Sequence, residues 1–91
     1  MLSKIPINLE LVPKEKKDLE ILRVGLIAEL DAISLYEQLA AVTGNEKIKT
    51  VLLDIAKEEK THVGEFLALL LTLDQEQKEE LEEGKKEVEE L

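Results

Sequence analysis

Three residues of this 91-residue chain have the types and spacing for metal chemistry: Glu29, Glu59 and His62. Glu59-x-x-His62 sets a carboxylate and an imidazole three positions apart, on one helix face and within reach of one ion. Carboxylate oxygen with imidazole nitrogen suits iron or manganese, and zinc less specifically. What separates this pattern from a solvated helix face is its surroundings. Glu29 interrupts an apolar stripe of Leu22, Leu26, Ile33 and Tyr36, and Glu59 and His62 interrupt another of Val51, Ile55, Phe66 and Leu69. An uncompensated carboxylate taken out of water costs several kcal/mol. Lys57 and Lys60 project away from that second stripe, so a bound cation is the natural counter-charge.

Three further residues stand near this set. Glu58 lies four positions before His62, as an acceptor for the imidazole N–H or as a plain solvated carboxylate. Tyr36 lies two turns along from Glu29, as a partner for a ligating carboxylate or as a core aromatic. Asp31 falls off the stripe and is expected at the surface, with the guiding of cations as its functional alternative.

The elements that must position these residues are helical, and the expected fold class is all-α. Residues 1–12 alternate loosely around Pro6 and read as an extended arm. Pro13 suits a first helical turn, so helix one is expected over about 13–42. Gly44 is placed to take a left-handed position after it, and Asn45 to cap helix two, over about 46–73. Asp74, with Gln77 three positions on, reads as a capping box opening an acidic helix three over about 74–91. Helices one and two, joined by three residues, must form a long antiparallel hairpin. Their apolar faces are too wide for one hairpin to bury. Two hairpins pairing into a ferritin-like four-helix bundle is the simplest remedy. The same pairing completes the chemistry: a carboxylate di-iron centre takes two Glu-x-x-His motifs and two lone Glu from four helices. This chain offers one of each, so a two-fold partner supplies the rest.

Composition narrows the function. The net charge is −9, and residues 74–91 hold nine acids against three lysines. No basic patch is present to contact phosphates, so nucleic acid and anionic membrane are poor partners. No apolar run approaches the roughly 20 residues that span a bilayer. The start of the chain lacks the pattern of a signal peptide. With no Cys, there is no disulfide, thiolate zinc site or rubredoxin-type iron relay.

Residues 28–40 (AELDAISLYEQLA) and 52–74 (LLDIAKEEKTHVGEFLALLLTLD) resemble the encapsulated ferritins, the ferritin-like cargo of encapsulin nanocompartments. The resemblance covers roughly residues 15–74. It implies a two-helix subunit that dimerises around a shared di-iron ferroxidase centre, with dimers joined in a decameric ring. Glu29, Glu59 and His62 match the iron ligands, with Glu59 bridging, and Tyr36 matches a tyrosine beside the centre. The resemblance further implies that Fe(II) is oxidised to Fe(III) and stored within an encapsulin shell in the cytoplasm, the protein being cargo or fused to the shell. Ala28 and Leu35 depart from an acidic and an aromatic residue that some members carry in an outer metal site, where only Asp31 retains a carboxylate. The chain ends at Glu89-Glu90-Leu91 without a shell-targeting peptide. Two other readings of the residues stay open: a non-catalytic helical assembly module whose buried acids share protons or water, and a related di-metal centre that reduces peroxide or holds manganese.

Overall fold

The structure is a computed structural model and describes Lys4 and residues 8–91. Two short 3-10 turns, Leu9–Leu11 and Lys14–Lys16, lead into helices α1 (Lys17–Val42), α2 (Glu46–Leu73) and α3 (Gln75–Glu89). The all-α reading and the long hairpin with a shorter third helix are as expected. At 26 residues, α1 is about 39 Å long.

Contacts between α1 and α2 run in opposite order along the two helices: Arg23 meets Asp74, Gly25 meets Phe66, Glu29 meets His62 and Glu37 meets Lys60. The pair is therefore antiparallel. Phe66 packs against α1 at Gly25. A Cβ there would stand 2.5 Å from Cε1 of Phe66, so hydrogen in place of a side chain lets the ring lie against α1. Ala40 and Ala56 are buried between the helices, with Leu70.

The connection is built differently from the expectation. No described residue has positive φ, so Gly44 does not take a left-handed position. Thr43 leaves α1 in extended conformation, its N–H donating to the Leu39 carbonyl. Its Oγ1 then accepts from the Asn45 N–H at 3.2 Å. A threonine side chain closes the turn, and the glycine is not called upon. Asn45 caps α2 as expected, its Oδ1 accepting from Lys47 N at 3.0 Å and Ile48 N at 3.1 Å.

Two other boundaries are corrected. Pro13 is extended (ψ 142°) and opens a 3-10 turn, so α1 begins at Lys17. Leu9 and Leu11 sit in a 3-10 turn and not in an extended arm; Ile5, Pro6 and Ile7 lie outside the described residues. At α3, Asp74 Oδ1 accepts from Gln77 N at 3.0 Å. The reciprocal half of the capping box is unused, because the Asp74 N–H already donates to Leu70.

This fold has little interior. The radius of gyration is 16.3 Å, against about 12 Å for a compact chain of this length. Ile21, Leu30, Val51, Leu69 and Leu73 are each about half exposed, large apolar side chains that a single hairpin leaves uncovered. No helix among the described residues is long and apolar enough to cross a membrane.

Replacing Asn45 by Ala orphans the Lys47 and Ile48 amides. It should cost about 1 kcal/mol, read as a lower urea midpoint at unchanged slope; an unmoved midpoint would mean the cap carries no stability.

Candidate metal centre

Helix α2 places Glu59 and His62 side by side near its middle, and α1 brings Glu29 across to them. The His62 Nδ1 stands 3.3 Å from Glu59 Oε2 and 3.4 Å from Glu29 Oε2. One ligand atom from each of the three residues lies within 4.8 Å of the others. This is the one such group among the described residues, and the sequence pattern had singled out the same three.

The polar atoms here are poorly served. The contact to Glu59 has hydrogen-bond geometry. Glu29 Oε2 is buried and has no hydrogen-bond partner. An imidazole nitrogen carries at most one hydrogen, so Nδ1 cannot satisfy both oxygens. The nearby bases do not help. Lys60 is engaged with Glu37 at 3.1 Å, and Lys57 is exposed. A buried acceptor without a donor costs about 1–3 kcal/mol, and a divalent ion among these oxygens and the imidazole would remove that deficit. The donor set, two carboxylates and one imidazole, fits iron or manganese.

The glutamate carboxylates are four-fifths shielded, whereas His62 remains 43% exposed. The cluster therefore faces outward along one side of the hairpin. There Glu29 and His62 line a cavity of about 310 Å³ with Glu65, Phe66 and Leu69. Glu65 is a residue the sequence reading passed over. Its signal was its position three residues after His62, on the stripe that already carries Glu58.

The remaining candidates lie apart from the cluster. Tyr36 is half-buried on α1, two turns from Glu29. Glu58 is exposed and makes no bond to the imidazole, whose Nδ1 faces Glu59 and Glu29. The surface placement expected for Asp31 is corrected: it is 7% exposed. The reason is the breadth of the covered face, since Asp31 shares a stripe with Ala28 and Leu35, both half-buried. Two positions along a helix is about 200° of rotation, so Asp31 points away from Glu29.

Glu29→Gln keeps the shape and removes a charge. Without metal its melting temperature should equal or exceed that of the native chain. The stabilisation that Co(II) gives the native chain, about 2.7 kcal/mol at a free concentration of about 100 Kd, should be lost. Thermal unfolding followed by circular dichroism with and without Co(II) checks both; equal Co(II) stabilisation of the variant would remove Glu29 from the site.

The chain is similar to known proteins in both sequence and fold. The EncFtn-like family model matches residues 6–87. The ferritin-like–encapsulin shell fusion protein of Pyrococcus furiosus is 59% identical over 80 residues, covering 87% of this chain and 23% of the relative. The encapsulin nanocompartment cargo protein EncC of Myxococcus xanthus is 40% identical over 70 residues, covering 74% of this chain and 54% of the relative. The chain thus spans about a quarter and about half of the lengths of these two relatives. The crystal structure of the encapsulated ferritin domain from Pyrococcus furiosus superposes with a TM-score of 0.84 at 53% identity, over 100% of this chain and 95% of that one. With a family model matched over nearly its whole length and a solved structure of the same shape at that identity, the chain belongs to the EncFtn-like family.

Proposed function

We propose that the chain is a ferroxidase subunit whose di-iron centre forms between two copies of the hairpin. The observation that carries this reading is the cluster of Glu29, Glu59 and His62 on the outward side of a two-helix unit. It supplies three ligands where a carboxylate-bridged pair of irons takes six from four helices. A two-fold axis beside the cluster would bring the same three residues from the second copy. Four carboxylates then balance two Fe(II) ions. Half-exposed Leu69 lines the cavity and half-exposed Leu73 lies one turn further along α2, where a second hairpin would cover them.

In this reading each residue has a task. Glu59 of each copy bridges the two metals, and Glu29 and His62 complete the coordination on either side. Fe(II) is the substrate. Two ions give up one electron each, and dioxygen or peroxide accepts the pair. The side chains hold the ions together and keep the charge of the assembly near zero.

Assembly and destination are proposed from the same relationship. The relatives named for an encapsulin shell fusion and for encapsulin cargo support an encapsulin shell as partner, with this chain as cargo or fused segment inside a cytoplasmic nanocompartment. Dimers are proposed to join further into a decameric ring.

Fe(II) titrated in air and followed by near-ultraviolet absorbance should saturate near one iron per chain. Glu29→Ala and His62→Ala should lower the oxidation rate strongly with helicity preserved. Oxidation at the native rate in both variants would defeat the assignment, and no saturable iron at all would leave a non-catalytic assembly module. Because binding to the assembled state alone stabilises it, Fe(II) should also shift sedimentation toward the larger species; a distribution indifferent to metal would argue against a shared site.

A further inference from the structure

We infer that Asp74 is a one-residue hinge between the hairpin and α3, and that Arg23 holds it at its observed angle. The joint is short. Asp74, extended at φ −128° and ψ 90°, is the single non-helical residue between Leu73 and Gln75. Its N–H donates to Leu70 and its carbonyl accepts from Lys78, so both helices run up to it without slack.

The two oxygens of its carboxylate have different tasks. Oδ1 accepts from Gln77 N at 3.0 Å and caps α3. Oδ2 accepts from Arg23 Nη2 at 3.0 Å, 51 positions away on α1. The other arm of the guanidinium donates to Glu20 at 2.9 Å, which fixes it on the α1 surface. The Asp74 side chain is 17% exposed and that of Arg23 43%, so the guanidinium side of the pair stays open to water and dissolved ions.

Little else holds α3. Gln77 and Leu81 are half-buried, and from Glu82 onward every residue is exposed. The direction of an acidic helix carrying an apolar groove around Leu81 and Val88 therefore depends on one ion pair. High ionic strength, which shortens the screening length to about 3 Å at 1 M, loosens it.

Asp74→Asn separates the two tasks. Asparagine caps a helix as well as aspartate does, but its remaining amide presents N–H groups to Arg23. The chain has no Cys, so Lys57→Cys and Lys86→Cys give two clean spin-label sites on α2 and α3. Labelled chain diluted into unlabelled chain reports distances within one subunit by pulsed electron resonance. The native protein should give one narrow distribution at low salt and lose it in 1 M NaCl. Arg23→Gln and Asp74→Asn should each lose it at low salt, with helix content unchanged by circular dichroism. A narrow distribution persisting in either variant, or in the native chain at 1 M NaCl, overturns the hinge.

Discussion

The middle of the hairpin is governed by a shortage of hydrogen-bond donors. Two carboxylates, on Glu29 and Glu59, converge on one imidazole nitrogen, and that nitrogen has at most one hydrogen to give. Glu29 Oε2 is left buried and unserved. Such an arrangement opposes folding, yet it occurs one helical turn from Gly25, where the Phe66 ring lies against α1. The hairpin brings these groups together in spite of their mutual interaction. The proposed second copy and its metal ions would supply what this site lacks.

The same incompleteness appears at the scale of the fold. Ala40, Ala56 and Leu70 are the buried apolar residues among those described, and two of them are the smallest that still carry a side chain. Small residues allow close helix contact but bury little area, so stability per chain is modest. Larger apolar side chains point outward along both helices. Electrostatic deficit and uncovered apolar surface lie on the same slender unit, and the proposed second copy would address both.

Much of this was legible in the sequence. Periodicities of three and four gave helices because the apolar positions recur over nearly thirty residues in each. The Asn45 and Asp74 caps were legible because their side chains act locally, on amides two or three positions away. Glu29, Glu59 and His62 stood out because each breaks an apolar stripe. What escaped depends on contacts that no local pattern encodes. The turn used Thr43 Oγ1 where a left-handed glycine was expected. Asp31 was placed at the surface because it falls off the main apolar stripe, but the covered face of α1 extends around to it. The partnership of Arg23 with Asp74 joins residues 51 positions apart in sequence, and becomes visible only once the two helices are laid antiparallel.

Tyr36 is the one tyrosine in a chain without tryptophan. Its place seven residues beyond Glu29 puts it about 10 Å from the cluster along the helix axis. Ultraviolet emission from the native protein thus comes from a single fluorophore beside the carboxylates. A paramagnetic or coloured ion bound there would quench it by proximity, so the molecule carries its own optical gauge of occupancy, with no label attached.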